Sequence, residues 1–143
     1  MVYLYNDLLK FNGKELKHYN DNGELIGKFP ASSGRLGTTP DDQNIKNTGP
    51  LPEGKYTINP KEIKGIRYFL RHLKGDWGRF RVVLHPSKDT RTYGRDGFFL
   101  HGGEYPGSAG CIDVGKYDNM LFNRIDHGLL FHDGTITLEV KYE

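Results

Sequence analysis

The chain has 143 residues, a formal net charge of +2 and 27% charged residues, a size that suits one domain with its own hydrophobic core. The basic residues are scattered among acidic ones rather than gathered in the stripe typical of nucleic-acid binding, and no run of roughly eighteen apolar residues predicts a membrane span. The single cysteine excludes an internal disulfide and any metal site built from several thiolates. It is therefore either a small buried hydrophobic residue or a reactive thiol.

The N-terminal part of the chain is predicted to form a three-stranded antiparallel meander over residues 2–30. Asn12-Gly13 and Asn22-Gly23 each lie between strand-like runs, and such pairs favour hairpin turns because both residues tolerate positive φ. Residues 30–54 contain four prolines and four glycines. This composition predicts a long loop, and long loops within compact domains often carry function.

The rest of the chain predicts further strands and one short helix. Residues 61–76 are ambiguous between a short helix and a hairpin, whereas the apolar residues within 114–126 predict a helix that Gly128 ends. The sequence therefore predicts a mainly β fold, with residues 1–143 as a single domain. Period-two patterns and β-forming residues predict strands at residues 55–59, 79–84, 97–100 and 135–142.

Residues 97–114 carry the clearest chemical signal, a strand that ends in His101 and a glycine-rich loop that leads to Cys111 before the predicted helix. A helix N-terminus stabilises a thiolate, and a histidine can take the thiol proton and return it to a leaving amine. The small residues Ser108 and Gly110 would leave the sulfur accessible, and backbone N–H groups of Gly110 and Cys111 are expected to face a developing oxyanion. The segment predicts nucleophilic catalysis by Cys111 with His101 as base.

Each of these residues also has a structural interpretation. A cysteine flanked by apolar residues is often a packing residue, and a histidine at a strand end is often structural. His85 also ends a predicted strand, so it is a second histidine near the cleft. His127 and His132 have acidic neighbours, but their spacing suits no common metal site. We expect no metal and no cofactor.

Several motifs resemble one known family. His101-Gly102 followed by Ser108-Ala109-Gly110-Cys111-Ile112 resembles the active-site signature of L,D-transpeptidases, and it is closest to the compact Tlde group of type VI secretion effectors. The segments 29–34, 47–56 and 77–86 also resemble that group. Together the motifs span about residues 10–115, most of the chain.

The resemblance implies a compact β-sandwich or open barrel with one short helix after the cysteine. It also implies that Cys111 attacks the third residue of a peptidoglycan stem peptide with His101 as base, so that D-alanine leaves. Water then completes an L,D-carboxypeptidase reaction, or an amine completes transpeptidation or D-amino-acid exchange. By position, Ser108, Gly110 and Gly102 form the nucleophile loop, and Ser33, Gly34, His85 and Arg81 belong to the substrate-binding cleft.

The sequence departs from the housekeeping enzymes at two positions. Ala109 stands where they usually have histidine, and Asp113 stands where they often have arginine or asparagine. Because such an arginine helps to hold the substrate carboxylate, that role must pass to another residue. Arg79, Arg81 and Arg95 are the candidates, and their spacing does not distinguish among them.

The N-terminus has no basic region followed by an apolar stretch, so it does not predict a secretory signal. The resemblance implies delivery by a secretion-system carrier, action on peptidoglycan in a target cell's periplasm, and an immunity protein in the producer. We expect neither a nucleic-acid partner nor a membrane span. Two alternatives stay open: a non-catalytic module that binds the cell wall, and an amidase or endopeptidase that cuts elsewhere in the stem.

Overall fold

The computed structural model describes residues 8–20, 22–65, 80–103, 109–118, 120–122, 124 and 135–143. Within these ranges the chain is mainly β and forms two sheets, which confirms the predicted fold class. The strands are β1 (Leu8–Phe11), β2 (Glu15–Tyr19), β3 (Leu25–Pro30), β4 (Gly54–Ile58), β5 (Lys64–Gly65), β6 (Phe80–Val83), β7 (His85–Pro86), β8 (Phe99–His101), β9 (Ile112–Asp113) and β10 (Ile136–Val140).

The larger sheet has six strands in the order β3-β2-β1-β10-β4-β7. Its first three strands are the predicted antiparallel meander. The Asn12 side chain shapes the first turn, since its Oδ1 accepts the N–H groups of Lys14 and Glu15 at 2.9 and 2.8 Å, and Gly13 has a φ of 98°. β10 pairs with β1 in parallel at the centre of the sheet, so strands far apart in the sequence are neighbours there.

The smaller sheet has four strands in the order β5-β6-β8-β9. Successive side chains along its strands point to opposite faces. One face carries Val82, Leu100 and Ile112, all buried in the core. The opposite face carries Arg81, His101 and Asp113, which are partners in the register of three adjacent strands. The side of this sheet that faces away from Val82 and Leu100 therefore collects the polar residues.

The chain crosses from the smaller sheet to the larger one at Leu84, a buried residue between β6 and β7. One hydrophobic core joins residues of both sheets. Tyr56 of β4 packs edge-on against Phe98, with ring centroids 5.9 Å apart. A large apolar side chain buried in this way stabilises a fold by about 1.5–3 kcal/mol.

The connecting segments largely follow the sequence pattern. The 30–54 loop contains a single 3-10 turn, Pro40–Asp42, which the Thr39 side chain caps. The predicted helix begins as a 3-10 turn at Gly115–Tyr117, and residues 118, 120–122 and 124 are helical. Leu121 and Phe122 are buried, whereas Met120, expected on the apolar face, is exposed. The ambiguous segment 61–76 starts within the 3-10 turn Pro60–Glu62 and continues into β5, and its residues 66–76 lie outside the described residues.

Candidate functional site

Strands β8 and β9 bring the two ends of the predicted nucleophile loop side by side. β8 ends at His101, and β9 begins at Ile112, directly after Cys111. The strands are parallel with His101 opposite Asp113, and the Val114 N–H donates to the His101 carbonyl at 2.8 Å. His101 and Cys111 are 1% and 4% exposed. His101 and Cys111, ten positions apart in the sequence, are thus both buried, one at the end of β8 and the other directly before β9.

The ring of His101 has a defined tautomer. Its Nδ1 lies 2.6 Å from the Gly102 carbonyl oxygen, and a carbonyl can only accept, so Nδ1 carries the proton. In the neutral ring Nε2 then holds the lone pair, which is the state a general base requires. Gly102 is necessary for this geometry because a Cβ there would lie 2.6 Å from both Asp118 and the Gly115 carbonyl.

Two buried carboxyl groups lie beside His101. Asp113 and Asp118 are each 4% exposed, and the Gly115 N–H donates to Asp113 Oδ1 at 2.8 Å. Burial raises the pKa of Asp113, and the charge of Asp118 raises it further, whereas the Gly115 hydrogen bond and the charge of His101 lower it. In the sequence, Asp113 stands out only as a departure from a family pattern. The period-two spacing from Cys111 was the available signal that both residues share a face.

Arg95 is a buried cation next to the nucleophile loop. It is 6% exposed, and its guanidinium donates to the carbonyls of Gln43, Gly49 and Pro50. No carboxylate among the described residues forms an ion pair with it. Burial lowers the pKa of Arg95, and the charge of Cys111 is among the interactions that raise it. By reciprocity, the guanidinium stabilises the thiolate form of Cys111.

Gly110 connects this arginine to the cysteine. It has a φ of 67°, and a Cβ there would lie 3.1 Å from Arg95 Nη2. Its N–H donates to the Gly49 carbonyl at 3.0 Å and so does not point towards an oxyanion. The Gly49 carbonyl therefore holds both Gly110 and Arg95. Ser108, the other predicted loop residue, lies outside the described residues, as does Arg79.

Ser33 and Gly34 lie within the packed base of the long loop. Ser33 Oγ accepts the Leu51 N–H at 2.8 Å, and Ser33 also opposes the rise in the pKa of Tyr142 that burial causes. Gly34 is buried with a φ of 87°, and a Cβ there would meet Thr38 Oγ1 at 2.5 Å. The structure thus places both residues where they fix the shape of the loop.

Arg81 and His85 end up on different sheets. Arg81 is the register partner of His101, and its guanidinium lies 5.7 Å from the centroid of the Phe99 ring. His85 belongs to β7 of the larger sheet, is exposed, and lies 2.7 Å through Nε2 from Glu62 Oε1. The structure therefore brings Arg81 together with His101, and it does not bring His85 there.

A groove of 310 Å³ opens beside the strand ends. Gly103 and Asp113 line it next to His101, and Lys14 and Lys116 bring positive charge to it. Cys111 is not among its lining residues. Over the described ranges, no three His, Cys, Asp or Glu residues are grouped so as to hold a metal ion. Nor do those ranges contain a helix of the length and apolarity that a membrane crossing requires.

A family model described as the Tlde1 domain matches residues 28–132, which is most of the chain. The chain belongs to the Tlde1 domain family. This match confirms the resemblance to the Tlde group of type VI secretion effectors. No curated protein matches the chain. The segment that matches the Tlde1 domain contains Arg95, His101, Cys111 and Asp113, whereas β1, β2 and β10 lie outside it.

Proposed function

We propose that the chain is a peptidoglycan-modifying cysteine enzyme that acts as an L,D-carboxypeptidase or L,D-transpeptidase on tetrapeptide stems. The observation that carries the proposal is that His101 ends β8 and Cys111 directly precedes β9, the parallel strand beside it, within a chain of the Tlde1 domain family. A buried histidine with a fixed tautomer beside a cysteine is the arrangement that nucleophilic catalysis needs.

The proposed reaction uses His101 Nε2 as the general base. Nε2 takes the Cys111 Sγ proton, and the thiolate attacks the carbonyl carbon between the third residue and the terminal D-alanine. The tetrahedral intermediate collapses with cleavage of the peptide bond, and His101 returns the proton to the departing D-alanine amine. The third residue is then held as a thioester on Cys111. His101 next deprotonates water for hydrolysis, or the amine of a D-amino acid or second stem for exchange.

Arg95 near Cys111 and Asp113 near His101 carry charges that favour the transfer of the thiol proton to the imidazole. Proton transfer creates a thiolate and an imidazolium, and these need opposite charges near them. Arg95 interacts electrostatically with Cys111, and Asp113 interacts with His101. Both groups are buried, where charge interactions are screened less than in water. They therefore favour the charged pair over the neutral one.

We propose that the 310 Å³ groove holds the part of the stem peptide away from the reacting bond, since Cys111 does not line it. Lys14 and Lys116 at its walls suit the carboxylates of such a peptide. Arg81, next to His101 in the sheet, is the arginine that we propose for the carboxylate nearest the reacting bond. Arg95 is unsuited to that role because its guanidinium is directed at three backbone carbonyls.

The low exposure of Cys111, 4%, favours one alternative, a wall-binding module in which the thiol only packs. An amidase or endopeptidase would use the same nucleophile on a different bond. Product mass separates these alternatives, because loss of one D-alanine differs from loss of a peptide, and a binding module leaves the muropeptides unchanged.

We propose that the biological role is antibacterial: secretion delivers the protein into a competitor's periplasm, and a cognate immunity protein protects the producer. The test is expression of a periplasm-directed version in bacteria, with muropeptide analysis of their walls. Growth arrest with shortened or exchanged stems supports the role. Healthy cells with normal stems, despite a folded protein in the periplasm, contradict it.

A further inference from the structure

The outer face of the larger sheet carries lysines from four different strands in one line. In the register, Lys28 is opposite Lys17, Lys17 is opposite Lys10, and Glu139 lies between Lys10 and Lys55. We call Lys28, Lys17, Lys10 and Lys55 the lysine row. Because strands are about 4.8 Å apart, the row is about 19 Å long. The lysine row is not apparent in the sequence, because consecutive members are separated by six to twenty-six other residues along the chain.

The lysine row has too few negative neighbours for its charge. Glu139 is 4.0 Å from both Lys10 and Lys55, and Lys28 pairs with Glu15 at 3.5 Å. Lys17 has no ion pair with any described residue. Like charges directly across a strand pair destabilise a sheet. The adjacent positive charges of Lys28, Lys17 and Lys10 therefore destabilise the sheet, and an acidic partner bound there would reduce this repulsion.

An apolar row runs beside the lysine row, about 6.8 Å from it, and begins two residues along β1 and β2 from Lys10 and Lys17. Leu25 is opposite Tyr19, and Tyr19 is opposite Leu8. Leu25 is 50% exposed, and Lys10 Nζ lies 5.2 Å from the centroid of the Tyr19 ring. A groove of 190 Å³ opens on the same face, and its lining residues include Lys10, Lys17, Tyr19, Glu139, Lys141 and Glu143.

We propose that this face docks an acidic protein, which places carboxylates on the lysine row and apolar side chains on Leu25, Tyr19 and Leu8. The combination selects a protein over a nucleic acid, because a phosphate backbone uses the lysines alone, whereas protein interfaces combine apolar and aromatic contacts with a charged rim. The face lies on the sheet that does not contain His101 and Cys111. Docking here is therefore independent of the proposed activity.

The test titrates the full chain against two fluorescent peptides with the same number of glutamates. One peptide intersperses leucine and tryptophan among them, and the other intersperses serine. The mixed peptide is expected to bind at least tenfold more tightly. Lys10→Glu with Lys17→Glu should weaken both peptides by about tenfold or more, and Lys10→Gln with Lys17→Gln should weaken them less. Leu25→Ser should weaken the mixed peptide alone.

The matched control is Lys46→Glu with Lys88→Glu, which changes the net charge equally at two exposed loop lysines. It should leave both affinities within about twofold. An equal loss in this control contradicts the proposal, since the effect is then one of net charge. Equal binding of the two peptides also contradicts it. Tighter binding of duplex DNA than of the mixed peptide, at the same salt concentration, would assign the face to nucleic acid instead.

Discussion

His101 and Asp113 are Cα partners across the parallel strands β8 and β9. Both side chains are buried, and the positive charge of His101 opposes the rise in the pKa of Asp113 that burial causes. The carboxylate is thus held in an environment that penalises its charge, next to the ring proposed to become an imidazolium. Such an arrangement costs stability and serves a charged intermediate.

Replacing Asp113 by asparagine should separate the loss of stability that the buried carboxylate causes from its benefit to the charged intermediate. The amide oxygen can still accept the Gly115 N–H, while the charge is lost. Because the folded-state pKa of Asp113 is raised, its ionisation opposes folding above that pKa, so Asp113→Asn should stabilise the protein at pH 7. We expect a Tm higher by a few degrees and kcat/KM on tetrapeptide muropeptides lower by tenfold or more. A variant that is both less stable and fully active would contradict this interpretation of Asp113.

Arg95 is expected to set the reactivity of Cys111. Arg95→Met removes the buried charge that interacts with the cysteine, so alkylation of the thiol by iodoacetamide should require a higher pH than in the wild type. Arg95→Lys is the matched control, because it keeps the charge but cannot reproduce the guanidinium bonds to three carbonyls. If both variants shift the alkylation profile equally, Arg95 acts only by holding the loop.

His18 should make stability depend on pH. It is fully buried, and burial together with Arg124 lowers its pKa from 6.5 to about 4. His18 therefore becomes protonated below pH 6.5 in the unfolded chain, but only near pH 4 in the folded chain. The stabilising contribution of the neutral His18 is complete above pH 6.5. It falls by up to about 1.4 kcal/mol per pH unit as the pH drops from 6.5 to about 4.

The measurement for His18 is urea unfolding between pH 7 and pH 4, with His18→Gln as the comparison. Glutamine can accept the hydrogen bond that Arg124 donates to Nδ1 and does not titrate. The difference in unfolding free energy between wild type and variant should shrink as the pH falls. A difference that stays constant across the window would show that His18 does not titrate in this way.

Gly49 tests the link between the long loop and the nucleophile. A Cβ there would lie 1.8 Å from the Asp42 carbonyl oxygen, so Gly49→Ala must displace the loop, at a cost of about 1–3 kcal/mol. Its carbonyl holds both Gly110 and Arg95, so Cys111 alkylation should change as well.

Gly37→Ala is the control for Gly49. Gly37 has a φ of 89° but no atom within 4 Å of a Cβ, so it should cost about 1 kcal/mol through backbone strain and leave Cys111 unaffected. Equal alkylation rates in Gly49→Ala and the wild type would show that the loop does not position the nucleophile.

The sequence predicted the features that depend on local chemistry. Asn12-Gly13 predicted the first hairpin because its turn needs no distant partner, and the alternating residues 135–142 predicted β10. The His101 and Cys111 motif was visible because ten positions separate its members. Each of these signals lies within one short segment.

The remaining features depend on the pairing of distant segments. The parallel pairing of β1 with β10 joins residues near opposite ends of the chain, and no local pattern indicates it. His85 follows a strand of one sheet and belongs to the other, so its distance from His101 could not be read from similar strand-end patterns. The lysine row likewise exists only once the register of five strands is known.

The central claim is that Cys111 removes or exchanges the terminal D-alanine of a stem peptide. The most direct measurement incubates the purified, reduced protein with tetrapeptide-stem muropeptides and follows the products by mass spectrometry, with Cys111→Ala alongside. We expect loss of one D-alanine, or its replacement by an added D-amino acid, with the wild type alone. Equal conversion by Cys111→Ala, or unchanged muropeptides from a wild type whose thiol is reduced, would contradict it.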